Sequence, residues 1–168
     1  MNSAMLFNLA RFILLLAAQV VIFNNFNFMG YINPYSYILF IILFPVNGNK
    51  YALLTASFLL GITMDLFCNS GGVHTVACLL LAFVRPSLFK FSFGLSYEYQ
   101  TVRLNDVLTP ERFSFIFLSV VIHHLTLFVL EVFTFEYLWD IILRTIISTL
   151  FTIIICILLI YLIKPSKR

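Results

Sequence analysis

Residues 140–163 read DIILRTIISTLFTIIICILLIYLI: two charges near the start, Asp140 and Arg144, then nineteen residues without another. At a rise of about 1.5 Å per residue, about 20 apolar residues of helix cross the roughly 30 Å hydrocarbon core of a bilayer, and this stretch is long enough to do so. Its apolar residues are continuous, whereas a transmembrane β-strand alternates with a period of two, so the spanning element is a helix. The rest of the chain repeats the pattern. Of 168 residues, 62% are hydrophobic and 10% charged, against about 25% charged in soluble domains, and the mean hydropathy is +1.04. Such a composition has too little polar surface to cover a water-soluble core. The expected fold is a single all-α, polytopic membrane domain over residues 1–168.

Further apolar runs lie at Leu6 to Phe23, Tyr35 to Val46, Tyr51 to Phe67, Val73 to Val84 and Phe113 to Phe135, which with Asp140 to Ile163 makes about six spans. The second and fourth hold about a dozen residues and reach only about 18 Å. They need flanking residues, a thinned bilayer or cover from neighbouring helices, and a count of five stays open. Basic residues bear on the orientation, because Lys and Arg favour the cytoplasmic side. With the N-terminus inside, six spans put Arg11, Lys50, Arg85, Lys90, Arg103, Arg112, Lys164, Lys167 and Arg168 inside. Only Arg144 falls outside, one helical turn after Asp140, where an i to i+4 pair can hold it. Both termini are therefore expected in the cytoplasm. The first run is read as a retained helix and not a cleaved signal, since five more runs follow it. The segment from Arg85 to Arg112 mixes aromatics with both signs of charge, which suits an inner loop lying along the headgroups or a docking surface for a partner. Pro110 and Glu111 fit the first turn of the next helix.

Reaction signatures are not found. No phosphate-binding glycine loop, nucleophile elbow, CxxC or paired catalytic carboxylates within one span occurs. His123 and His124 are adjacent, so on a helix they point about 100° apart and cannot grip one metal as an i to i+4 pair would. They read as buried hydrogen-bonding histidines, with Glu131 on the face of His124 two turns on. Cys68, Cys78 and Cys156 are odd in number and lie in or beside apolar runs, so they read as small hydrophobes and not as a disulfide framework. The net charge of +3 is spread over three inner segments with acids interleaved, a topology signal and not a nucleic-acid footprint. No catalytic residue, cofactor, metal or nucleic-acid partner is expected.

The chemically conspicuous stretch is GITMDLFCNSGGVHT, Gly61 to Thr75. Gly61 and Asp65 share a helix face, where glycine admits a neighbouring backbone and the carboxylate one turn later meets what approaches. Asn69, Ser70, Gly71 and Gly72 form a turn, and His74 opens the next helix. Two readings follow: a structural clasp in which Asp65 accepts from the free amides of that helix, or a ligand or proton site, since an intramembrane ionisable residue is a functional candidate by default. The clasp is preferred. Gly61, Asp65, Gly71, Gly72 and His74 are thus the structural or partner-interaction candidates.

A glycine, an aspartate one turn later at the end of the third hydrophobic segment, then GG, a His-containing turn and a small-residue helix, within about six spans bearing a basic inner loop and tail, resembles the rod-shape-determining protein MreD family. The motif part of the likeness covers Gly61 to Ala82; the Phe-rich composition and the long fourth loop depart from it. The resemblance implies a non-enzymatic inner-membrane component of the bacterial cell-elongation machinery, similar in fold to the substrate-binding subunits of energy-coupling-factor transporters. It implies partnership with the bitopic protein MreC, and through it a link between MreB filaments and the peptidoglycan synthase RodA with its transpeptidase. In that reading an apolar, lipid-facing groove takes a partner's transmembrane helix. The alternative is a vitamin-type, small-molecule-binding subunit of a transporter, with a polar cavity opening outward near Asp65, His74 and Glu131.

Overall fold

The computed structural model describes residues 3–25, 33–94 and 108–163. Among these residues the chain is all helical: α1 Ser3–Val21, α2 Ile38–Ile42, α3 Lys50–Cys68, α4 Val73–Phe93, α5 Pro110–Val132 and α6 Leu138–Ile163, with single 3-10 turns at Phe23–Asn25 and Phe135–Tyr137. Five of these helices, α1 and α3 to α6, are long and apolar enough to cross a bilayer. Their outward faces carry Leu14, Leu66, Phe83, Leu150 and Leu158, while Gln19, Ser57, His123, His124, Ser148 and Thr152 are buried. Apolar outside and polar inside is the pattern of a bundle solvated by lipid. The protein is membrane-embedded.

The segment Tyr35 to Val46 is not a spanning helix. Pro34 and Pro45 bracket it, each hostile to helix in the residue before it, and only Ile38–Ile42 are helical. That single turn and a half is buried on all sides, packed against α1, α4 and α5. The backbone on either side makes mainly turn bonds from residue i to i−3, such as Ile38 to Tyr35 and Phe44 to Ile41, which in a bilayer interior is tolerable only where protein groups satisfy the rest. They do. At one end Gln19 Nε2 donates to the Pro34 carbonyl at 3.0 Å, and its Oε1 accepts from Ser36 Oγ at 3.0 Å and the Tyr37 amide at 3.4 Å. The Tyr35 amide donates to Thr152 Oγ1 at 3.0 Å. At the other end Arg11 donates to the Leu43 carbonyl at 2.9 Å, and Arg85 to the carbonyls of Ile42 and Phe44. Two guanidiniums therefore sit on the negative end of this short helix.

These contacts also fix direction. Gln19 in α1 meets Pro34 while Arg11, two turns earlier, meets Leu43, so the short segment runs antiparallel to α1. Asn24, just past α1, lies 3.5 Å from Cys68 at the end of α3, so α1 and α3 run parallel. Helix α4 returns beside α3, α5 beside α4 (Cys78 near His123, Phe89 stacked on Phe115) and α6 beside α5 (Glu131 near Arg144, His124 near Thr149). Among the described residues the chain thus passes six times between two faces, with five long helices and one short buried segment, and the start of α1 and the end of α6 share a face. We call this the terminal face and the other, with the α3–α4 turn, the turn face.

Arg85 is also placed differently from the sequence expectation of an inner loop after Val84: α4 continues through Pro86 to Phe93. Proline inside a helix costs about 3 kcal/mol, and packing offsets it: Phe89 stacks on Phe115 with centroids 4.1 Å apart and also on Phe93, and Arg85 is held on the α2 carbonyls. Arg85 is thus a buried helix residue and not part of a headgroup loop. Arg103, Lys164, Lys167 and Arg168 lie outside the described residues. Pro110 opens α5 as expected, behind Thr109, whose hydroxyl accepts from the Arg112 amide.

Candidate functional site

The α3–α4 junction is built by four residues that leave the helix path in succession. Asn69 ends α3 in the left-handed conformation (φ 51°), and Gly71 and Gly72 follow at φ 66° and 104°. Positive φ at both is what glycine permits without a Cβ clash. The chain reverses and α4 begins against α3. At Gly61 an added Cβ would lie 2.4 Å from Thr75 Cα and 2.8 Å from Thr75 N, so backbone meets backbone where the side chain is missing.

Asp65, one turn after Gly61, closes this contact. Its Oδ1 accepts from the His74 amide at 2.9 Å and from Ser70 Oγ at 2.6 Å; its Oδ2 accepts from the Thr75 amide at 2.9 Å and Thr75 Oγ1 at 2.5 Å. Two of the orphan amides that begin α4 are thereby capped by a carboxylate belonging to another helix. All four contacts are with α4 or the turn before it. The structure therefore brings Gly61, Asp65 and His74 together, with Gly71 and Gly72 shaping the chain between them.

His74 points into a second group that the sequence did not assemble. Its Nδ1 lies 2.7 Å from Tyr37 Oη, which is also 3.1 Å from His123 Nε2. Cys78 Sγ is 3.9 Å from the same His123 nitrogen. His124 turns the other way, to Thr149 at 3.2 Å and Thr152 at 3.4 Å. The ring of Tyr35 lies among His74, His123, His124 and Phe128, its centroid 5.2 to 6.4 Å from theirs. Adjacent histidines on one helix thus serve two partners in different directions, and Tyr37, Gln19, Arg11 and Arg85 are the interior polar residues that sequence reading passed over. The available signal was a polar residue inside or at the edge of an apolar run. No group of three or more metal-ligating side chains occurs among the described residues.

Because Tyr37 Oη bridges two buried imidazoles, Tyr37→Phe is expected to leave two ring nitrogens without their partner and lower stability by about 1–3 kcal/mol. Unfolding in detergent, followed by thermal loss of monodisperse protein, measures it. Wild-type stability in the variant would show the bridge to be dispensable.

Above this cluster a cavity of about 1070 Å³ opens at the turn face, lined by Asn24, Asn25, Asn33, Tyr35, His74 and Glu131 among others. Glu131 is 3.8 Å from Arg144, whose nearer partner is Asp140 at 2.9 Å. No protein-family model, no curated protein and no solved structure matches the chain.

Proposed function

We propose that the chain is a non-enzymatic inner-membrane scaffold of the bacterial cell-elongation machinery, a protein of MreD type with both termini cytoplasmic. It binds an MreC-like bitopic partner, and with MreB, RodA and its transpeptidase supports cell-shape control and peptidoglycan synthesis. The observation that carries the reading is what becomes of the stretch behind the resemblance. Gly61 to Thr75 is consumed in joining α3 to α4, with every hydrogen bond of Asp65 spent on that joint, so its most unusual residue acts by holding shape. The histidines next in chemical promise are likewise engaged inside the bundle.

Purification in mild detergent followed by identification of co-purifying proteins tests this. An MreC-like bitopic protein is the expected companion; an ATPase module in its place would favour the transporter reading. Cysteine labelling is expected to put both termini and the loop around Arg103 in the cytoplasm and 133–137 outside. A labelled C-terminus outside would overturn the orientation. The transporter alternative, a small-molecule-binding subunit, has one observation in its favour, the cavity at the turn face.

A further inference from the structure

The turn face carries an imbalance of charge. Among the described residues it holds Asp65, Glu131, Glu136 and Asp140 against one basic residue, Arg144. Asp65 is spent on the clasp, and Arg144 is closest to Asp140. Glu131 lines the cavity, with half of its side chain exposed. Among the described lining residues Glu131 is the one carboxylate, with Arg144 3.8 Å from it outside the lining, and a carboxylate in a pocket favours a cation.

One amide around the cavity points the same way. Asn24 is held at both ends, its Nδ2 against Cys68 Sγ at 3.5 Å and its Oδ1 accepting from Gln19 Nε2 at 3.0 Å, and Asn25 Nδ2 donates to the Val21 carbonyl at 2.9 Å. Asn33 Oδ1 is buried and has no hydrogen-bond partner, an acceptor already removed from water and awaiting a donor. Tyr35 adds an aromatic ring held in place through its own amide on Thr152. Carboxylate and orphaned amide oxygen are groups that receive an ammonium, by charge and by N–H donation, and Tyr35 lines the same cavity. The cavity volume lies just above the roughly 300–1,000 Å³ typical of small-molecule pockets.

We propose that the turn-face cavity is a binding site for a small organic amine in its protonated form, held by Glu131, Asn33 and Tyr35. The site is independent of the scaffold reading, since partner recovery and amine binding are separate measurements.

The test is titration calorimetry of the purified full chain in a non-ionic detergent, with putrescine as the probe and butanediol of the same chain length as its uncharged match. Putrescine is expected to bind saturably, and butanediol about tenfold more weakly or not at all. Glu131→Gln, checked for an unchanged elution profile, is expected to weaken putrescine by about tenfold. Absence of saturable putrescine binding, or equal binding of the diol, would overturn the proposal, as would undiminished putrescine binding to folded Glu131→Gln. If that variant does not fold, the amine-to-diol comparison on the unaltered protein decides.

Discussion

Asp65→Leu is expected to remove most folded protein from the membrane, while Asp65→Asn is expected to leave a substantial fraction. Leucine supplies no acceptor, so the amides of His74 and Thr75 and the hydroxyls of Ser70 and Thr75 lose their partner together. The hydroxyls can rotate elsewhere; the two amides cannot. Each buried amide left bare costs about 1–3 kcal/mol, so the pair removes about 2–6 kcal/mol from a total that for most proteins is about 5–15 kcal/mol. Asparagine keeps one oxygen for one amide, and its Nδ2 can donate to the Thr75 hydroxyl turned to accept. What it loses is charge assistance and one amide acceptor, and the expected cost is about 1–3 kcal/mol. Membrane protein level, complementation of cell shape and partner recovery, measured for both variants, separate this from a reactive role. An inactive Asp65→Asn at normal abundance with partner recovery intact would make Asp65 a functional group and end the clasp reading.

The second large effect is at Gly61. The atoms that a Cβ would strike, Thr75 Cα at 2.4 Å, Thr75 N at 2.8 Å and the His74 carbonyl oxygen at 2.9 Å, all belong to backbone, which cannot rotate out of the way as a side-chain tip can. The helices must separate, and any separation lengthens the Thr75 amide bond to Asp65. Overpacking of this kind costs about 1–3 kcal/mol even for a small increment. Gly61→Ala is expected to fall in that range, and Gly61→Leu to leave no recoverable folded protein. Gly71→Ala is the informative contrast, since nothing lies within 4 Å of its Cβ position and the cost is only that of the left-handed backbone, about 1–2 kcal/mol. Thermal unfolding of Gly61→Ala and Gly71→Ala in one detergent measures the two costs, and membrane protein level measures Gly61→Leu. A Gly61→Ala protein as stable as the unaltered one, or a recoverable folded Gly61→Leu, would mean that α3 and α4 are not held at this distance.

How far the sequence could be read depended on the reach of the signal. Long apolar runs declare themselves within about 20 residues, and α3, α5 and α6 are close to the runs that announce them. Gly61, Asp65, the double glycine and His74 fall within fifteen residues, so their meeting across one turn could be argued from helix periodicity. The second run could not be read correctly. Whether Tyr35 to Val46 spans as a helix depends on who satisfies its backbone, and the partners are Gln19, Arg11, Arg85 and Thr152, at separations from 15 to 117 residues. Periodicity carries no information over such distances. The bridge from Tyr37 to His123, 86 residues away, was out of reach for the same reason. Ending the fourth run at Val84 failed differently: Arg85 and Pro86 oppose a membrane helix locally, and only packing against α2 and α5 reverses that preference.

The dependence of the short second segment on distant helices sets a constraint on biosynthesis. A ribosome delivers Gln19 before Tyr35 and Arg85 well after it, and Thr152, which receives the Tyr35 amide, only when more than half of α6 has been made. Until then the Tyr35 amide lacks the partner it has in the finished bundle, and the bilayer interior offers none. The second segment therefore reaches its final state only after α6 is in place, unlike successive domains, which fold one by one during translation. The early and late helices mature together, and α6 locks the second segment in place through Thr152.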